Sequence, residues 1–215
     1  MKLYSGPLSM FGAKAEIALR EKGVDFELVM VPFEMKTLYE PKHPEVLRIN
    51  PKRQVPVLID GDLELFDSTQ IFEYLETLKP EPALWPAEPK ARARARLLEH
   101  KSDEVYFPHI IRLMGDAKAP GAHEAAARFY DEMERTLGDR EWLGGNYSYA
   151  DIAFYMAQLF GDRMGAPMSD AHPRLQAWRA RMGARPPVRQ VAGAMGRYLL
   201  SIGRKLPAFL TELST

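Results

Sequence analysis

Two neighbouring stretches carry groups whose types and spacing can hold a ligand: Gln54-Val55-Pro56-Val57-Leu58 and, shortly after it, Phe66-Asp67-Ser68-Thr69. Proline has no main-chain N–H to donate, so Pro56 belongs at the start of a strand or on an edge. With a cis peptide before it, Val55 would turn its own N–H and C=O outward, unpaired, as an edge for an extended peptide. Asp67 and Ser68 open the next helix, where unpaired amides and the macrodipole favour a carboxylate. The same pair is equally an ordinary helix cap. Other chemistry is excluded. There is no cysteine, so disulfides, thiolate metal sites and a protein thiol nucleophile are ruled out. His43, His100, His109, His123 and His172 are too scattered to pair as ligands, so no metal site is expected.

The elements that must position these groups follow from periodicity. Residues 2–5 read as a first strand, ended by Gly6-Pro7. A helix follows from Ser9, with Phe11, Ala15, Ala18 and Leu19 on one face and Gly23 as its stop. Residues 26–31 form a second strand, and an irregular, proline-bearing stretch with one helical turn near 45–49 leads to a hairpin. Val57, Leu58 and Ile59 supply its first strand, Asp60-Gly61 its turn, and Leu63 and Leu65 its second strand. Ile71, Tyr74, Leu75 and Leu78 then give the next helix a core face. This order, βαβ followed by ββα, is the plan of a thioredoxin-like domain. Pro80, Pro82, Pro86 and Pro89 break the pattern and mark a linker.

Beyond the linker strands disappear. Helices are expected at 90–115, 121–137, 148–163 and 174–181, with further segments after Pro187. Ser148 three residues before Asp151 fits a capping box, and the body that follows is apolar nearly all round, marking a central buried helix. The fold class is therefore α+β: a thioredoxin-like domain at 1–78, a linker at 79–89 and an all-helical bundle at 90–215. The amphipathic tail beyond Gly193 is expected to close the bundle rather than cover a pocket. Lysine plus arginine and aspartate plus glutamate both number 29, so nothing favours nucleic acid or an anionic membrane. No apolar run approaches the ~20 residues of a spanning helix, and the first residues enter a strand without a signal-like segment, so the cytosol is the expected compartment.

Taken together, Gln54-Val55-Pro56-Val57-Leu58, Asp67-Ser68, Ser148-x-x-Asp151 and the opening Tyr4-x-x-x-x-Ser9-x-Phe11 resemble the cytosolic glutathione transferases over essentially the full length. The opening is similar to that of the serine-type classes of plants and bacteria, phi-, tau- or theta-like. The resemblance implies an enzyme with no cofactor, in which glutathione is a co-substrate, and a homodimer. The glutathione backbone would pair with Val55 beside Pro56, its γ-glutamyl carboxylate would sit on Ser68 with Asp67 near the ammonium, and its glycyl carboxylate would take Lys42, Arg53 or Gln54. Ser9 would stand near the sulfur, with Ser5 in the same loop as the competing hydroxyl and Tyr4 structural. The electrophile would lie among Met10, Phe11, Tyr106, Phe107, Ile110 and Met114, with His109 or Arg112 as minor candidates for acid help and Asp103 reaching a partner subunit's glutathione. Arg53 replaces the small residue common before the glutamine in one serine-type class, which would alter the glycyl site. The missing cysteine disfavours thioltransferase and dehydroascorbate-reductase chemistry. The alternative is a catalytically silent relative, a binding or carrier module that keeps the fold.

Overall fold

The computed structural model describes residues 1–214. Four strands, β1 (Lys2–Ser5), β2 (Glu27–Met30), β3 (Val57–Asp60) and β4 (Leu63–Phe66), form one sheet in the order β2-β1-β3-β4. β1 runs parallel to β2 and antiparallel to β3, and β4 is antiparallel to β3. Because successive side chains alternate across a sheet, Leu3 and Leu58 face one layer and Tyr4 and Val57 the other. Helices α1 (Met10–Glu21) and α3 (Ser68–Leu78) cover the first face, and the short α2 (Pro44–Ile49) lies over the second. Tyr4 is buried there with its ring 5.0 Å from that of His43. The hairpin turn falls on Gly61-Asp62, one residue later than expected, since Asp60 still pairs with Leu63. Gly61 takes the positive φ of 61° that such a turn requires.

The remainder is helical: α4 (Pro89–His100), α5 (Phe107–Gly115), α6 (Ala122–Leu137), α7 (Tyr149–Arg163), α8 (Pro173–Ala184), α9 (Pro186–Ser201) and α10 (Ala208–Ser214). The single long helix expected at 90–115 is interrupted. Between α4 and α5, residues Lys101–Tyr106 wind as a wide π-type turn. The reason is Pro108: it has no N–H and its ring collides with the carbonyl four residues back, so the backbone widens to keep the axis going. α7 is the central helix, buried from Tyr149 to Gly161. Asp151 anchors its start, accepting from the Ser148 amide (3.0 Å), the Leu143 amide (2.9 Å) and Trp178 Nε1 (2.9 Å). The tail closes the bundle: Leu210 and Leu213 pack inward on α9, and none of its described residues lines the two clefts that meet at Phe11, Gln54 and Val55.

Two buried clasps hold the linker and the helical layer to the first domain. Lys22 Nζ reaches Pro82 O (2.7 Å) and Pro80 O (3.2 Å) and pairs with Glu76 at 2.5 Å. Glu76 in turn accepts the amides of Leu84 and Trp85. Glu21 takes the Tyr147 hydroxyl at 2.8 Å and a two-pronged contact from Arg185 at 2.8 and 2.7 Å. Among the described residues no helix is long and apolar enough to cross a membrane.

Candidate active site

Two clefts meet at Phe11, Gln54 and Val55. One, of about 150 Å³, is polar and runs from the loop before β3 past the start of α3 to the end of α4. The other, of about 300 Å³, is mostly apolar and runs from the start of α1 to α5.

Ser9 sits at their junction with α1, on the wall of the apolar cleft. It is the cap of α1: its backbone is extended (φ −97°, ψ 116°) and its Oγ accepts the Gly12 amide at 3.0 Å. Accepting that bond leaves its own O–H proton uncommitted, because no acceptor among the described residues takes it. Ser5 is different. Its Oγ is buried without a partner beneath Gly12, on a separate small cavity between α1 and α9. A Cβ at Gly12 would stand 2.2 Å from Ser5 Oγ and 3.1 Å from Ser9 Oγ, so glycine is what lets both hydroxyls approach the first turn. Of the two serines, only Ser9 faces either cleft.

The Val55–Pro56 peptide is cis, and among the described residues neither the N–H nor the C=O of Val55 has a partner. Asn50 pins the preceding loop, donating to Gln54 O at 2.6 Å and accepting the Lys52 amide at 2.9 Å. Gln54 lines both clefts, Lys42 and Arg53 the apolar one, and Lys52 the polar one. Lys42 is shared with Glu40 at 3.4 Å.

At the start of α3 the arrangement differs from the expected seat of free amides. Asp67 Oδ1 itself accepts the Thr69 and Gln70 amides, at 3.0 and 3.3 Å. What remains for an anion is the Ser68 hydroxyl, on the polar cleft and without a partner among the described residues. Asp67 holds a φ of 76°, a region that costs a non-glycine residue on the order of 1–3 kcal/mol and that clusters at functional sites.

Behind Ser68 lies a buried charge cluster that sequence reasoning missed. Lys14 of α1 is fully enclosed and bonds Glu99 at 3.1 Å and, more closely, Asp103. Glu99 also accepts the Thr69 hydroxyl at 2.7 Å. Burial lifts the Asp103 carboxyl to about 6 against the opposing pull of Lys14, and its Oδ1 is left without a partner. Burial works against the Lys14 charge as well, but Asp103 and Glu99 outweigh it and raise its pKa. The one available signal was Lys14 itself, three residues after Phe11 and four before Ala18, on the face read as core.

The apolar cleft corrects the expected lining. Met10, Phe11, Phe107 and Met114 are on its wall, but Tyr106 and Ile110 are not. Both are fully buried in the bundle, where the Tyr106 hydroxyl bonds that of Tyr130 over Gly161. The physical reason is helical phase: Phe107, Ile111 and Met114 share one face, whereas Tyr106, Ile110 and Leu113 share another. Ile111, Tyr39 and Phe160 complete the wall. His109 faces a separate depression against α6, and Arg112 donates to Pro120 O at 2.7 Å, so neither reaches the cleft. Asp103 faces the polar cleft of its own chain.

Comparison with known proteins follows the same outline. Residues 3–83 match the family model for the N-terminal domain of glutathione S-transferase and residues 97–186 that for its C-terminal domain. Glutathione S-transferase 3 of Zea mays is 30% identical over 212 residues, spanning 91% of this chain and 94% of that protein. Stringent starvation protein A homologs of Coxiella burnetii and Haemophilus ducreyi are 31% and 32% identical, but the chain spans only 66% and 59% of their lengths. A solved glutathione transferase family member from Pseudomonas fluorescens, with two glutathione bound, superposes with a TM-score of 0.74 at 26% identity, covering 88% of this chain and 91% of that one.

Proposed function

The chain belongs to the glutathione S-transferase family, and from that premise we propose that it conjugates glutathione to small hydrophobic electrophiles, with Ser9 stabilising the thiolate. The observation that carries this reading is the uncommitted Ser9 hydroxyl at the start of α1, facing the apolar cleft beside the unpaired main chain of Val55. An extended tripeptide laid along Val55 and Pro56 would pair by strand addition. Its γ-glutamyl carboxylate meets the Ser68 hydroxyl, and its ammonium meets the carboxylates of Asp67 and Asp103, which line the same cleft. Its glycyl carboxylate meets Gln54 with Lys42 or Arg53, and Lys52 adds a cation on the polar side. The sulfur then falls at Ser9.

A thiol with a pKa of about 8.5 is mostly protonated at neutral pH and is a poor nucleophile. One hydrogen bond to a charged group contributes about 1.5–3 kcal/mol, or one to two pKa units, and the positive end of α1 adds to it. That is enough to make the thiolate a major species at pH 7. The thiolate attacks an electrophilic carbon held among Met10, Phe11, Phe107 and Met114. The S–C bond forms as a leaving group departs with its electron pair, or as the electron pair of an activated double bond shifts and is later protonated. No cofactor enters this scheme, and a homodimer in the cytosol is its expected setting.

A second reading, a binding or carrier module, has one observation beside it: some relatives carry the name stringent starvation protein A homolog and not that of a transferase. Ultraviolet titration of the thiolate of bound glutathione separates the two. In the transferase, bound glutathione ionises well below its solution pKa and Ser9→Ala removes most of that shift. An equal shift in both proteins would refute the role given to Ser9, and no binding at all would leave the module.

A further inference from the structure

Arg163, Arg204 and Lys205 gather at the C-terminal ends of α7 and α9 around a depression of about 490 Å³, and no carboxylate lines it. Among the described residues none of the three side chains has an ion pair or a hydrogen bond. Arg204 and Lys205 are exposed on the rim, whereas Arg163 is half-buried, and its Nη1 is cut off from water with no partner. A cation in the last turn of a helix ordinarily answers the macrodipole. Here the Arg163 guanidinium bonds none of the last carbonyls and lies over the Phe160 ring, 4.8 Å from its centroid. Burial pulls its pKa down to about 10, with the neighbouring charge of Arg204 adding to the fall and Tyr39 opposing it. A desolvated, unpaired guanidinium beside a second cation is costly unless an anion joins it.

The cluster lies next to the apolar cleft. Phe160, under Arg163, and Tyr39, close enough to feel its charge, are both walls of the apolar cleft. Leu38 lines that cleft and Met35 lines the cationic depression, so a single loop separates the two spaces. We propose that Arg163, Arg204 and Lys205 bind a carboxylate or sulfonate carried by the molecule in the apolar cleft, so that the preferred occupants are amphiphilic acids rather than neutral hydrophobes. The word electrophile for that occupant rests on the transferase reading above, whereas the anion site does not.

The test uses two matched pairs. In the first, fluorescence titration compares 1-anilinonaphthalene-8-sulfonate with uncharged N-phenyl-1-naphthylamine. The wild-type protein should prefer the sulfonate, and Arg163→Met and the surface double variant Arg204→Ala/Lys205→Ala should each lose about tenfold of that preference while still binding the neutral dye. No preference in the wild type, or the same preference in both variants, would overturn the proposal. So would inorganic phosphate that binds through these residues yet leaves the sulfonate dye's preference unchanged, since the cations would then hold a free anion. In the second pair, conjugation of an α,β-unsaturated ketone bearing a carboxylate is compared with that of its methyl ester. The acid-to-ester ratio of kcat/KM should fall about tenfold in Arg163→Met. If the wild type conjugates neither compound, such enones are not its electrophiles and the dye pair alone decides the anion site.

Discussion

Replacing Lys14 by methionine should be among the most damaging single changes in the molecule. Methionine keeps much of the stem that fills the space between Phe11 and Phe72, whose ring centroids lie 5.4 and 5.2 Å from Nζ, but it removes the charge. The side chains of Glu99 and Asp103 are then left at 3% and 7% exposure with no cation. Removing one partner of a buried ion pair costs about 3–5 kcal/mol, because the other charge stays desolvated. Against a total stability of about 5–15 kcal/mol, the loss is a large fraction. The sign of the pH dependence follows from the carboxylates. Asp103 already titrates at about 6 because it is buried, and without Lys14 it rises further. A carboxyl raised in the fold stays protonated where the unfolded chain, near 3.9, has ionised, so it lowers stability as pH rises through that window. The deficit of Lys14→Met should therefore be largest at pH 7.5 and shrink at pH 5. Urea unfolding followed by both fluorescence and circular dichroism measures it at the two pH values. The triple variant Lys14→Met/Glu99→Gln/Asp103→Asn should recover most of the loss. A deficit below about 1 kcal/mol at pH 7.5, or one equal at both pH values, would refute the reasoning.

Asp151→Ala strips the acceptor from two main-chain amides and from Trp178 Nε1, so it should cost roughly 3–5 kcal/mol and alter tryptophan fluorescence. Urea unfolding within about 1 kcal/mol of wild type would contradict the anchoring role given to Asp151. Ser68→Ala should weaken glutathione binding about tenfold by calorimetry while leaving the melting temperature nearly unchanged, because that hydroxyl has no partner among the described residues. An unchanged affinity would remove Ser68 from the site.

Local signals carried the architecture well where one element's chemistry is self-contained. The Val57-to-Ile59 run with its glycine turn and the Ser148-x-x-Asp151 start of α7 are both written in adjacent residues. The misreadings arose where a distant partner or a single residue altered the phase. Pro108 stands in an otherwise good helical pattern, and periodicity alone does not show the interruption before α5. The family resemblance puts Tyr106 and Ile110 with Phe107 and Met114 on the electrophile pocket, whereas helical spacing assigns them to another face. Lys14, Glu99 and Thr69 belong to three different helices, and no local pattern announces that they touch. The expected amide seat at α3 was half right: Asp67 occupies the amides itself, and Ser68 is left for a ligand.

The wide turn at Lys101–Tyr106 also decides what the two clefts have in common. One residue of an α-helix advances about 100° around its axis, from 3.6 residues per turn, so a turn that absorbs an extra residue sets everything after it back by that angle. Glu99, before the turn, and Asp103, within it, line the polar cleft; beyond it Phe107, Ile111 and Met114 line the apolar one. A single rod thus delivers acids to one chamber and hydrocarbon to the other, and losing one residue from the turn would exchange the hydrocarbon face for its neighbour without changing any side chain.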